Sequence, residues 1–206
     1  MTELLLIRHA ETDWNRQMRF QGHSDVPLNA RGQAQAARLA QRLADEPIDI
    51  VLSSDLTRAR ETAAPLVDAR GLALHTDRAW REQAFGLIEG LDAATIQARH
   101  PDVWAAWLRH DADLAPPGGE SNRAFHARAV QALRDVARAA DGRRVAVFTH
   151  GGVLDMRWRE VHGLPLSGPR QCAIPNTGLN RLQWDGRHLR IAGWGDASHL
   201  EGLVRA

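Results

Sequence analysis

The chain has 206 residues and a mass of 22.8 kDa, with 44% hydrophobic and 25% charged residues, values that suit one globular domain over residues 1–206. It contains 26 arginines but no lysine and no tyrosine, which excludes Schiff-base lysines, P-loop lysines and phenolic acids. The net charge of +1 gives no electrostatic reason to bind nucleic acid, and Cys172 alone cannot form an internal disulfide.

Strand and helix signals alternate along the chain. Strands are predicted over 4–7, 48–52, 72–75 and 145–148, and a helix over 33–43. A further helix is predicted to be capped by Asp55 and to end at Gly71. One or two helices, divided at Pro101, are predicted over 91–113. The last predicted helix runs from a cap at Ser121 to Ala140. Residues 173–194 form a predicted hairpin that turns at 185–186. This order predicts a three-layer αβα fold whose central sheet is mostly parallel and flanked by helices.

The cellular location is predicted from two patterns that the sequence does not contain. No basic stretch precedes an apolar segment at the N-terminus, and no apolar run approaches the ~20 residues that span a bilayer. We therefore expect a cytoplasmic protein that needs neither nucleic acid nor membrane, with a homodimer left open.

Two histidines follow apolar strands. His9 comes after the first predicted strand and His150 after the last one before the hairpin. In open α/β sheets, ligands bind beyond the carboxyl ends of the strands, so the pair predicts a site there. The other eight have no metal-ligand spacing, so we expect neither a metal nor a cofactor: His23, His75, His100, His110, His126, His162, His188 and His199.

Four strings of residues occur in order along the chain: RHAETDWN at 8–15, SSDLTRARETA at 53–63, WREQAFGLIEG at 80–90 and THGG at 149–152. With weaker matches at 21–34, 117–121 and 176–178, they resemble the histidine phosphatase superfamily, which includes the cofactor-dependent phosphoglycerate mutases. The resemblance implies a phosphoglycerate mutase-like fold. Ala10 departs from the family's usual glycine, and the third string lacks the family's tryptophan.

The resemblance also assigns roles to individual residues. It implies that His9 is a nucleophile that becomes phosphorylated, that Arg8, Arg58 and His150 surround the phosphoryl group, and that Asn15 adds a neutral donor. Gln21, Gly22 and Gly151 are candidate substrate-binding residues, although tight turns alone would explain the two glycines. A neutral imidazole is a competent nucleophile if its Nδ1–H is held by a backbone carbonyl, whereas His150 is more useful when protonated.

Glu82 is the carboxyl that the resemblance places beside the leaving group. Protonation of a leaving oxygen by a placed acid is worth roughly 10²–10⁴-fold in rate. Once ionised, the same carboxylate can act as the base for the water that hydrolyses phosphohistidine. Glu11 and Glu89 are rivals for this role.

Three functions compete. A phosphatase passes the phosphoryl group to water, whereas a 2,3-bisphosphoglycerate-dependent phosphoglycerate mutase passes it to a second hydroxyl. Because the interval 82–119 is short and supplies only Arg99 and Arg109 as cations, we favour a phosphatase acting on a small phosphorylated metabolite. A non-catalytic domain that binds phosphorylated ligands is the third. Residues 91–121, which include Trp104 and Trp107, are predicted to pack in the core or to cover the substrate as a lid.

Overall fold

The computed structural model describes residues 1–109 and 111–203, which contain a six-stranded mixed sheet. Its strands are β1 (Thr2–Arg8), β2 (Ile50–Ser53), β3 (Leu74–Thr76), β4 (Arg144–Thr149), β5 (Leu179–Trp184) and β6 (Leu189–Asp196), in the order β3-β2-β4-β1-β5-β6. The pairs β3–β2, β2–β4 and β4–β1 are parallel, and β5 and β6 add the antiparallel hairpin. The prediction of a mostly parallel sheet is confirmed. His110 and residues 204–206, which some of the sequence predictions include, lie outside the described residues.

Helices cover both faces of the sheet. They are α1 (Asp13–Arg16), α2 (Ala30–Arg42), α3 (Thr57–Arg70), α4 (Ala93–Arg99), α5 (Pro101–Leu108), α6 (Asn122–Ala139) and α7 (Gly151–His162). Leu4 and Leu6 point to the core shared with α6 and α7, whereas Leu5 and Ile7 point to the core shared with α2 and α3. This alternation confirms the three layers. Within the described part of the chain, no helix combines the length and the apolar character needed to cross a membrane.

The predicted cap of α3 is wrong. The N-cap residue is Leu56, which makes no side-chain capping bond, and Asp55 instead accepts two hydrogen bonds of 2.6 Å each from Arg81. Two N–H groups of the Arg81 guanidinium bind both oxygens of the Asp55 carboxylate. This carboxylate is therefore not available to cap α3. The other end agrees with the prediction, since Gly71 ends the helix with a φ of +62°.

The segment between β3 and β4 agrees with its predicted boundaries. Pro101 is the first residue of α5 and separates it from α4. Ser121 caps α6, its hydroxyl accepting from the Ala124 amide at 3.2 Å.

Candidate active site

The two histidines lie side by side at the carboxyl ends of adjacent parallel strands. Arg8, the last residue of β1, is paired with Thr149, the last residue of β4. The next residues along each strand are His9 and His150, whose ring centroids are 5.2 Å apart. The His9 amide donates to the Thr149 carbonyl at 2.8 Å, so the sheet register itself fixes the pair.

The protonation pattern of His9 follows from its hydrogen bonds. Its Nδ1 lies 2.7 Å from the Ala10 carbonyl, which can only accept, so the ring proton sits on Nδ1 and Nε2 carries a lone pair. The His9 carbonyl accepts from Asn176 Nδ2 at 2.8 Å, and the Ala10 amide donates to Thr62 Oγ1 at 2.9 Å. These contacts hold the ring with Nε2 as its free nucleophilic atom.

Two arginines bring buried donors to the same place. The Arg58 side chain is fully buried, and its two Nη atoms donate to the Ser24 and Gly22 carbonyls at 2.8 and 2.7 Å. Arg8 donates through Nη1 to the Ile174 carbonyl at 2.7 Å. Among the described residues, neither Nε has a hydrogen-bond partner, and neither ring nitrogen of His150 has one. Burial is the main cause that lowers the pKa of each of the two arginines to about 10.

The charges of these arginines act on both imidazoles. Burial and then the Arg58 charge hold the pKa of His9 and of His150 well below their usual 6.5, and Arg8 adds to the effect. Both rings are therefore neutral at pH 7 in the protein alone. A protonated His150 would be a buried cation beside two guanidiniums, which is unfavourable in the protein alone, and its protonation when it donates to a phosphoryl group stays a prediction.

We expect an NMR titration of the imidazole nitrogens to show this directly. His9 and His150 should keep neutral-ring chemical shifts at pH 6.5. Added inorganic phosphate should raise the pKa of His150, since an anion favours the charged ring. A His9 that titrates near pH 6.5 without phosphate would contradict the electrostatic description.

Glu82 is anchored to the start of α7. One carboxylate oxygen accepts from the Gln83 amide at 2.9 Å, and the other accepts from the Gly152 amide at 3.0 Å. A Cβ at position 152 would overlap the carboxylate, so only glycine permits this approach. The Glu82 charge also acts on Arg8 and Arg58, which places it at the same site.

The two rival carboxylates have other partners. Glu89 accepts from the His23, Ser24 and Phe85 amides and from the Ser24 hydroxyl. Burial opposes ionisation, but these hydrogen bonds, led by that of Ser24, lower the pKa of Glu89. Glu11 accepts from Asn29 Nδ2 at 3.0 Å and lies 3.4 Å from the Arg31 guanidinium. Both carboxylates therefore hold loops, whereas Glu82 is the one of the three whose charge acts on both Arg8 and Arg58.

The candidate substrate-binding residues fall into two groups. Asn15 Oδ1 accepts from the Thr12 amide at 3.1 Å and Gln21 Oε1 accepts from the Thr12 hydroxyl at 3.0 Å, which leaves each carboxamide NH₂ as the donor end. Gly22 has a φ of +52° and gives its carbonyl to Arg58. Gly151 is buried as the first residue of α7. All of them surround the loops that carry the histidines and arginines.

A third arginine, absent from the sequence-based prediction, lies beside this group. A Cβ placed on Gly151 would be 3.4 Å from Arg170 Nη2 and 3.5 Å from Arg8 Nε, so the two guanidiniums flank one point. The Arg170 charge is the second cause, after burial, of the lowered pKa of Arg8. Arg170 also lies 3.8 Å from Asp155 through Nε. The chain around Arg170 carries no motif, so no sequence pattern indicates that Arg170 lies at this site.

Arg159 fixes the loop that carries Arg170. Its guanidinium is almost fully buried and donates to the carbonyls of four loop residues at 2.6 to 2.9 Å: Pro165, Ser167, Gly168 and Pro169. Its Nε donates to Asp155 Oδ2 at 2.9 Å, one turn earlier on α7. All five N–H donors are thereby used, and the loop is tied to α7.

A cavity of about 560 Å³ opens next to Glu82 and Gly152. One wall is aromatic: Phe20, Phe85 and Trp107 contact each other edge to face, with ring centroids 5.2 to 5.7 Å apart. This contact brings α5 of the predicted 91–121 segment against the site. Among the described residues, no group of three His, Cys, Asp or Glu side chains is arranged to hold a metal ion.

Paired histidines, buried guanidiniums and a nearby carboxylate are typical of proteins that handle phosphoryl groups. Comparison with known proteins identifies the family to which the chain belongs. The sequence model of the histidine phosphatase superfamily (branch 1) matches residues 4–197, and the chain belongs to this superfamily, whose members are phosphatases or mutases.

Among the relatives, some are named as mutases and others as phosphatases. The chain is 39% identical over 204 residues, or 97% of its length and 87% of the relative, to phosphoglycerate mutase-like protein 4 of Arabidopsis thaliana. It is similar to the structure of Bacillus stearothermophilus YhfR, with a TM-score of 0.88, 30% identity and coverage of 98% and 100% of the two chains. The mycobacterial glucosyl-3-phosphoglycerate phosphatase bound to VO₃ gives a TM-score of 0.82 at 31% identity, with 95% and 99% covered.

Proposed function

We propose that the chain is a phosphomonoesterase that hydrolyses a small phosphorylated metabolite through a phosphohistidine on His9, with Glu82 as general acid. The supporting observation is the set of buried nitrogens without protein partners beside His9 Nε2, contributed by Arg8, Arg58 and His150. A buried donor without an acceptor costs about 1–3 kcal/mol, and the oxygens of a phosphoryl group would satisfy several at once. The mutase-like and phosphatase relatives agree with this chemistry.

In the first step, the Nε2 lone pair of His9 attacks phosphorus while the bond from phosphorus to the ester oxygen breaks. Glu82 gives its proton to that oxygen, so a neutral alcohol leaves. The ring becomes a phosphorylated imidazolium, whose Nδ1–H still donates to the Ala10 carbonyl. Arg8 and Arg58 stabilise the negative charge that spreads over the equatorial oxygens.

In the second step, water attacks the phosphorus of phosphohistidine and the bond to Nε2 breaks. The Glu82 carboxylate, ionised after the first step, takes a proton from this water. Inorganic phosphate leaves, and His9 returns to its neutral form with the proton on Nδ1. The same carboxyl therefore serves as acid and then as base, which requires no other titrating group.

Arg170 is proposed as a third guanidinium for the phosphoryl oxygens. We expect Arg170→Met to raise the inhibition constant of inorganic phosphate by roughly tenfold, the worth of one charge-assisted hydrogen bond in a half-exposed position. The matched control is Arg138→Met on the exposed face of α6, which should leave that constant unchanged. An unchanged constant in Arg170→Met would remove this residue from the phosphoryl site.

Glu82→Gln tests the general acid. A carboxamide cannot give a proton to the leaving oxygen, so turnover of alkyl phosphates should fall by roughly 10²–10⁴-fold. Turnover of p-nitrophenyl phosphate should fall much less, because nitrophenolate leaves without protonation. Glu11→Gln, which alters a rival carboxylate, is the control and should not discriminate between the esters. Equal losses for both esters in Glu82→Gln would contradict the assignment.

A mutase is the second candidate, favoured by the name of the Arabidopsis relative. It would need a cation for the carboxylate of phosphoglycerate, and neither Arg99 nor Arg109 lines the cavity. The test is to incubate the protein with ³²P-labelled phosphomonoester, look for acid-labile label on His9, and assay exchange between 2- and 3-phosphoglycerate. Release of phosphate without exchange is expected. Exchange without release would favour the mutase, and no label with no release would contradict both.

A further inference from the structure

The cavity beside Glu82 has one end at the reacting centre and a body of apolar side chains. Glu82 and Gly152 lie at its inner end, where the leaving oxygen would receive its proton. The rest of the wall is largely carbon, built from the aromatic cluster and from aliphatic side chains on α5, on α7 and in the loop that follows α7: Val103, Ala106, Met156 and Leu166. Whatever group departs with the ester oxygen must therefore lie in an apolar space.

The cations along the cavity are not available to such a group. Arg159 uses all five of its donors within the protein. Arg170 lies at the phosphoryl end beside Arg8 rather than along the aromatic wall. Among the described residues, a carboxylate or a second phosphate on the leaving group would find no free cation along the aromatic wall of the cavity. Because burying an unpaired charge is unfavourable, this disfavours anionic leaving groups.

Acidic side chains add to this effect. Asp102 and Asp111 line the cavity from exposed positions, and Asp155 lies in its wall with one oxygen bound to Arg159. Their negative charges repel an incoming carboxylate while leaving a neutral molecule unaffected.

From these observations, and resting on the proposed phosphatase activity, we infer that the cavity is a leaving-group subsite for neutral, apolar alcohols. The preferred substrates are phosphomonoesters of hydrocarbon or aromatic alcohols without a second anionic group. The aromatic cluster of Phe20, Phe85 and Trp107 supplies the contact surface, and Glu82 gives the proton to the alcohol oxygen. Phosphoglycerates, which carry a carboxylate next to the ester, are poor substrates in this description.

A series of unbranched alkyl phosphates tests the inference on the unaltered protein. Ethyl, butyl and hexyl phosphate have leaving groups of nearly equal basicity, so differences in kcat/KM report burial of the chain. Full burial of one methylene is worth about three- to fourfold, and we expect at least about a tenfold rise from ethyl to hexyl phosphate. Hexyl phosphate with a terminal carboxylate should lose this gain. A flat series, or preference for the carboxylate ester, would overturn the inference.

Two tryptophan variants test whether the aromatic cluster causes the dependence of kcat/KM on chain length. Trp107→Ala removes the largest ring of the cluster and should flatten the chain-length series. The matched control is Trp158→Ala, since Trp158 packs on Trp194 and His162 away from the cavity and should keep the full series. A series that is equally steep in both variants would contradict the location.

The outcomes separate the two proposals. If every ester yields phosphohistidine and free phosphate but chain length has no effect, the phosphatase stands and the subsite is wrong. If no phosphomonoester labels His9, the proposed function itself is wrong.

Discussion

His9→Ala is expected to reduce turnover of any phosphomonoester by at least about 10⁴-fold, the scale found when a covalent nucleophile is removed. The reason is local: Nε2 is the one atom of the ring left free, because Nδ1 is held by the Ala10 carbonyl. The variant should also show no acid-labile phosphate after incubation with labelled ester. Both readouts belong in one experiment, since a contaminating phosphatase would release phosphate without labelling the protein.

The control for this experiment is His75→Ala. His75 lies in β3 with an exposed side chain, so its loss should change neither turnover nor labelling. Because His9 is buried, circular dichroism of the His9→Ala protein must show that the sheet is retained. Full turnover in a folded His9→Ala protein would exclude the phosphohistidine route.

Arg58→Met and Arg58→Lys have the second large effect, an expected loss of about 10³-fold in kcat, as for other arginines that stabilise a transferring phosphoryl group. Arg58 is fully buried, and each of its two Nη atoms donates one hydrogen bond, to the Ser24 and Gly22 carbonyls, so Nε–H and one N–H on each Nη are left for phosphoryl oxygens. Lysine cannot bind two carbonyls and an oxygen with the same geometry, so both variants lose the fork.

The two variants differ in their effect on His9. The Arg58 charge is the second cause, after burial, of the low pKa of His9. Arg58→Met removes that charge, so the pKa of His9 should rise and the acid limb of kcat/KM should move to higher pH, whereas Arg58→Lys should keep it close to that of the unaltered protein. Arg60→Met, on the exposed side of α3, is the control. The same pH profile in both Arg58 variants would contradict the proposed coupling.

The sequence predicted the sheet and the site to different extents. Strand identity follows from apolar runs, and ligands bind beyond the carboxyl ends of such strands, so a shared site for His9 and His150 could be expected, whereas the direct pairing of β1 with β4 could not. The cap of α3 could not, because Arg81 and Asp55 are 26 positions apart and only the folded chain brings them together.

Arg170 illustrates the second limit. Its position next to Arg8 depends on a loop held by Arg159, and no local spacing indicates that loop conformation. The lowered pKa of His150 could not be predicted either, since residue type alone does not show how strongly burial and two nearby cations act on it. In both cases the missing information is long-range packing.

The hydrogen bonds between Arg159 and the loop that carries Arg170 have a consequence for the effect of substitutions elsewhere in the chain. Glu82 is bound to the first turn of α7 and the Arg170 loop is bound to the same helix, so one helix holds both Glu82 and Arg170. The aromatic cluster belongs to other parts of the chain, with Trp107 on α5. Under the proposed function, substitutions on α5 would change the preference for the alcohol without displacing Glu82 or Arg170.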